Sequence, residues 1–162
     1  MLVSLLLCEL RVERAPFPHE PDAAVILSRL SLLLRHARQT GWGVAHVAVK
    51  RHPSRGGAIP GLEPLRSEAV FSVGENGAVD PRPLLETLSD RPIALAGFGY
   101  RDIIAPVLAQ CVRNRQPAIL VDDATGWGPE RAFALRALSR DGVGITTADS
   151  LIRSGAGWVL RS

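Results

Sequence analysis

Apolar residues recur along the 162-residue chain in two rhythms. Short unbroken runs occupy "LVSLLLCEL" (2–10), "GVAHVAVK" (43–50), "EAVFSV" (68–73), "RPIALAGF" (91–98) and "PAILVDDAT" (117–125). Their length and continuity predict strands, and the longest read as strands buried on both faces. Between them the period lengthens. "AAVILSRLSLLLRHARQTG" (23–41) sets Ile26, Leu30, Leu33 and Leu34 at helical spacing, with Asp22 as the expected N-cap and Gly41 as the stop. Further helices are predicted over 80–90, with Asp80 as cap and Pro81 at the first position, over 100–116, and over 128–142. Pro106 fits the third of these only if that helix has barely begun. "VGITTADSLIR" (143–153) predicts a short final strand and a last helical turn.

Strands alternating with helices imply an α/β fold of three α/β/α layers around a mostly parallel, six-stranded sheet. The whole chain, 1–162, reads as one domain without internal repeats. Two stretches read as loops: 11–22, with Pro16, Pro18 and Pro21, and 51–67, long and rich in Gly and Pro. With the order 3-2-1-4-5-6, the order reverses between strands one and four, where open sheets bind ligands. Glu9 closes strand one and "GFGYRD" closes strand four.

Composition narrows the functional classes. Cys8 and Cys111 are the two cysteines and neither lies in a CxxC, which excludes a zinc ribbon or a disulfide framework. Buried thiols in a cytoplasmic protein are expected. The N-terminal apolar run lacks a basic lead and is too short to cross a bilayer, so neither a targeting segment nor membrane association is expected. The net charge is +3, but the arginines are scattered, among them Arg11, Arg35, Arg66 and Arg140, and Lys50 is the single lysine. That pattern predicts a solvated surface and no nucleic-acid partner. His19, His36, His46 and His52 share no ligand spacing, so no metal is expected. "GFGYRD" starts like a dinucleotide fingerprint, but Asp102 stands where the third glycine belongs, after the fourth strand; no cofactor is expected. Asp122 and Asp123 read as structural, with Asp123 bonding a nearby loop.

The segments "IALAGFGYRDIIAPVLAQCVRNRQPAILVDDAT" and "ERAFALRALSRDGVGITTADSLI" resemble the C-terminal half of the isochorismatase-like cysteine hydrolases. The first half, with its acid-ended strand, "TGWGV" and "AHVAVKRHP", agrees as well. The resemblance implies an isochorismatase-like fold and, in the family, an Asp-Lys-Cys triad whose thiolate attacks a carbonyl-type carbon. It also implies a homo-oligomer, a dimer or tetramer.

Residue by residue, the triad is not reproduced. Glu9 stands for the Asp, Val73 for the Lys and Ile103 for the Cys; a shift of one residue gives Asp102 or Ile104. Cys111 lies about two helical turns beyond Ile103. Lys50 does not match the family's lysine. Asp102 and Tyr100 carry reactive groups in the turn, but no activating partner is evident. The resemblance therefore implies a hydrolase fold with no catalytic residue we can name. The expectation is a small-molecule crevice formed by Glu9, Val73, Phe98, Gly99, Tyr100, Arg101 and Ile103, with Ile103 as its floor and Phe98 and Tyr100 near its rim. A ligand-binding or assembly role follows. The alternative is a hydrolase of altered chemistry, in which Glu9 acts as general base on water against a small amide or enol-ether-type substrate.

Overall fold

Leu5, Leu6, Leu7 and Cys8 are each fully buried along β1 (Ser4–Cys8), which explains why that run carries no polar face. The computed structural model describes residues 3–8, 22–49, 58–73, 82–88 and 90–155. β1 pairs on one side with β2 (Gly43–Val49), which pairs with β3 (Ala69–Val73). On its other side lie β4 (Ile93–Gly97), β5 (Ala118–Thr125) and β6 (Gly144–Thr146). The sheet is six-stranded, parallel and ordered β3-β2-β1-β4-β5-β6, as the sequence pattern implies.

Side chains alternate across this sheet into two cores. Leu5, Leu7, Ala94, Ala96, Ile119 and Val121 pack under α1 (Ala23–Thr40) and α5 (Ala148–Ser154). Leu6, Cys8, Leu95 and Leu120 pack under α2 (Arg82–Leu88), α3 (Ala105–Arg113) and α4 (Arg131–Arg140). Burying each large aliphatic side chain contributes about 2 kcal/mol. Among the described residues, no helix is long and apolar enough to cross a membrane.

Helix ends follow local chemistry, with two departures. Gly41 adopts φ +74°, and the Trp42 N–H reaches the Ala37 carbonyl at 3.0 Å, closing α1 with a left-handed cap. Asp22, expected to cap the start of α1, makes no side-chain cap bond. The C-terminal end of α3 closes the same way as α1, but with Arg115 at φ 55° and the Gln116 N–H on the Cys111 carbonyl at 2.9 Å. There an arginine occupies the left-handed position that glycine takes without strain. The expected cap at Asp80 and the first helical position at Pro81 lie outside the described residues.

The helix after β4 opens as a π-turn, Tyr100–Ile104. The Ile104 N–H meets the Gly99 carbonyl at 3.3 Å, and the Ala105 N–H bonds the Tyr100 carbonyl, both spanning five residues. Pro106 supplies a physical reason. It has no N–H to donate to the carbonyl of Asp102, and its ring would press on that carbonyl in a regular helix. Pro106 thus sits in the first turn of α3, where proline is tolerated.

Part of the long loop is anchored. Leu62 is buried in the core under α1, with Ile59 packed beside it. The anchor is polar as well. Glu68 accepts from Arg38 Nε at 2.7 Å, Arg38 Nη2 at 3.1 Å, His46 Nε2 at 2.7 Å and the Leu65 N–H at 3.1 Å. Arg38 also donates to the Glu63 carbonyl at 2.8 Å. Burial pushes the His46 imidazole below its ordinary value of 6.5, against the pull of Glu68. Burial alone would raise the Glu68 carboxyl, but hydrogen bonds from Arg38, His46 and Leu65 hold it below its ordinary 4.5. A neutral His46 therefore donates Nε2–H to an ionised Glu68, whose charge Arg38 balances.

The tightest join is between β1 and β4. Gly97 lies opposite Cys8 with φ +121°, and a Cβ there would fall onto the Cys8 carbonyl oxygen and within 2.8 Å of its nitrogen. Replacing Gly97 by alanine is therefore expected to cost about 3 kcal/mol or more, through backbone overlap and left-handed strain. A lower midpoint in chemical denaturation checks this. Arg115→Gly is expected to act in the opposite direction, raising that midpoint by about 1 kcal/mol of stability. For the polar anchor, both depressed groups favour the folded state when deprotonated. Stability is complete above 6.5 and falls as acidification protonates first the unfolded-state His46 and then, below 4.5, the unfolded-state Glu68. Denaturation midpoints should drop from pH 7 to pH 4, and His46→Gln should flatten the drop that begins near pH 6.5.

Candidate functional site

The crevice expected from the strand order begins where β1 and β4 end side by side. Three strands are tied together there by backbone bonds. The Phe98 N–H donates to the Cys8 carbonyl at 2.9 Å, and the Gly126 N–H donates to the Gly97 carbonyl at 2.9 Å. The β4–β5 pairing shifts register between Leu95 and Gly97, so that Gly97 lies opposite Thr125. The shift brings the segment after β5 alongside the glycine turn. Thr125 satisfies its buried hydroxyl locally, donating to the Val121 carbonyl at 2.7 Å. Gly99 then turns left-handed, φ +73°, and launches the π-turn.

The residues expected in the crevice do not all share one environment. Ile103 is fully buried, in the core that also holds Cys8, Leu6 and Trp127. Tyr100 is half-buried and packs on that core, its ring 4.7 Å from the Trp127 ring in a tilted stack. Trp127 is itself fixed, donating Nε1–H to Asp122 Oδ1 at 3.0 Å. Arg101 and Asp102 are exposed and Gly99 is half-buried. Phe98, expected near the rim, is buried in the opposite core, with Ala94 and Ala96. Strand alternation carried one step past Gly97 places it there. Val73 ends the edge strand β3, opposite Val49 and two positions beyond the level of Cys8, with β2 between them. Glu9, Lys50, His19 and His52 lie outside the described residues.

Neither thiol is presented to solvent. Cys8 and Cys111 are fully buried and form no disulfide. Burial raises the Cys111 thiol to about 11, so at neutral pH it is a protonated, apolar packing group.

The acids at the end of β5 are engaged in structure. Asp122 receives Trp127 and a two-pronged contact from Arg131, with Nε at 3.0 Å. Asp123 accepts the Ala148 N–H at 2.8 Å, at the start of α5, and meets Arg29 Nε at 3.4 Å. Asp123 therefore ties α1, β5 and α5 together, where the sequence led us to expect a bond to a nearby loop. Among the described residues, no group of three His, Cys, Asp or Glu side chains is arranged to hold a metal ion. His36 meets Trp42 edge-on at 5.0 Å, and His46 serves the anchor with Glu68. Sequence reasoning misses that anchor. Its partners are 22 and 30 residues away from Glu68, and the only local hint is Arg38 beside buried Ala37 on α1.

The chain resembles several solved structures across nearly its whole length. An isochorismatase from Pseudomonas putida matches at 18% identity and TM-score 0.77, covering 91% of this chain and 89% of that one. A cysteine hydrolase from Pseudomonas syringae pv. phaseolicola matches at 15% identity and TM-score 0.76, covering 97% and 93%. N-carbamoylsarcosine amidase from Thermoplasma acidophilum matches at 13% identity and TM-score 0.70, covering 92% and 98%. No protein-family model and no curated protein matches the sequence. Identities this low speak to architecture alone, and the architecture matches an isochorismatase-like α/β fold.

Proposed function

We propose that this protein uses the isochorismatase-like fold without cysteine-hydrolase activity and keeps the crevice at the ends of β1 and β4 as a small-molecule site. The reading rests chiefly on Ile103. The first helical turn after β4 runs Tyr100, Arg101, Asp102, Ile103, Ile104, and contains no thiol. Ile103 and Ile104 are both sealed in the core. Cys111 lies farther along α3 with a raised pKa, and Cys8 is enclosed within β1. Acyl transfer to sulfur requires an accessible thiolate, because the thiolate and not the thiol attacks. Backbone donors of a turn, acting alone, retain only a small part of such catalysis.

The glycine turn supports the ligand-binding half of the reading. Gly97 and Gly99 keep the backbone close to β1 at the point where the strand order reverses. Beside it, the half-buried Tyr100 stacks on the buried Trp127. An aromatic ring at the edge of such a turn suits a small, largely apolar molecule held by few polar contacts.

Purified protein is expected to give no turnover of isochorismate, nicotinamide or N-carbamoyl substrates above the buffer rate. Turnover lost in a Cys8→Ala or Cys111→Ala variant would overturn the reading. Turnover that survives both replacements but vanishes in Glu9→Gln would replace it with general-base hydrolysis by Glu9.

A further inference from the structure

A concavity lies on the side of the sheet that α1 covers. It is a groove of about 380 Å³ between the C-terminal half of α1 and the segment carrying Gly61, lined by Ser31, Leu34, Arg35, Arg38, Gln39 and Gly61. Leu34 is buried and forms the floor. Ser31, Arg35 and Gln39 follow one another at four-residue steps, so they share one face of the helix. α1 leads directly into the start of β2, which sets this groove apart from the crevice where β1 and β4 end.

The lining residues carry donors, with two carboxylates directly behind them: Glu68 on Arg38 and Glu63 on the Gly61 N–H. Among the described residues, no carboxylate lines the groove. Arg38 is held by Glu68 through Nε and Nη2 and by the Glu63 carbonyl, so its guanidinium is fixed in orientation. Its Nη1 has no partner among the described residues. Glu63, the nearest exposed acid in sequence, turns its carboxylate onto the Gly61 N–H at 2.8 Å. Ser31, Arg35 and Gln39 make no side-chain bond to any described residue. A guanidinium carries five N–H donors and no acceptor. The amide of Gln39 and the hydroxyl of Ser31 add donors. The result is a donor-rich groove with one pre-oriented arginine and one adaptable arginine.

The geometry points to a binding site for a small oxyanion, a phosphate or carboxylate group, gripped by Arg35 and Arg38 and completed by Gln39 and Ser31. The guanidinium fork of Arg35 matches the paired oxygens of either group, and Arg38 adds the donors of its Nη1. The C-terminal end of α1 is the negative pole of that helix, so the anion is held by the two arginines against it. Binding should therefore weaken steeply with added salt.

The test is a titration of the full-length, 15N-labelled chain with sodium phosphate and, separately, sodium succinate, at constant ionic strength with sodium chloride as reference. Saturable shifts at the Ser31, Arg35, Gln39 and Gly61 amides are expected with at least one anion, and the arm that saturates identifies the group. Arg35→Ala should weaken that binding at least tenfold with an unchanged unfolding temperature, since Arg35 is exposed. Gln39→Ala should weaken it about threefold. Shifts that merely follow chloride in both arms, or equal affinity in Arg35→Ala, would overturn the proposal.

Discussion

The contact between Gly97 and Cys8 governs the arrangement of the molecule. β1 is the central strand, and its last described residue has β4 pressed against its backbone with no room for a side chain. The Phe98 N–H on the Cys8 carbonyl and the Gly126 N–H on the Gly97 carbonyl extend that contact into a clasp over β1, β4 and β5. The left-handed Gly99 and the turn that follows inherit their position from it. So do the two cores, because β1 feeds alternate side chains into each of them. A glycine here reflects close approach of two backbones as well as a permissive φ.

Much of this architecture is written in local pattern. Two-sided apolar runs such as Leu5–Cys8 and Ile93–Gly97 announce interior parallel strands, and the spacing of Ile26, Leu30 and Leu33 announces α1. The features that escape local reading depend on distant or subtle partners. Asp22 has the right chemistry for a cap but not the bond. Glu68, which reads as the first residue of the third strand, becomes the hub of a buried network because Arg38 and His46 arrive from other elements. Arg115 takes a glycine position at the end of α3, and its side chain gives no local sign of that. At the site, Ile103 is sealed inside one core, whereas Phe98 belongs to the other face of the sheet. Glu9, the one acid expected in the crevice, lies outside the described residues.

The described acids near the sheet share a common use. Glu68, Asp122 and Asp123 each collect several donors from separate elements and hold those elements in place. The polar chemistry of the interior is therefore spent on positioning helices against the sheet. Trp127 shows the effect at short range, being oriented by Asp122 and then stacked on Tyr100.

The π-turn over Tyr100–Ile104 bears on how this protein can be lined up with its structural neighbours. Such a bulge accommodates one surplus residue within a helix without lengthening it. Counting forward from Gly99 therefore drifts by a position against any relative whose helix starts regularly, and equivalence must be judged in three dimensions. The π-turn spans Asp102, Ile103 and Ile104, the residues that a one-position shift interchanges. Such a shift leaves the chemistry of the turn unchanged, because no frame of comparison across those residues recruits sulfur.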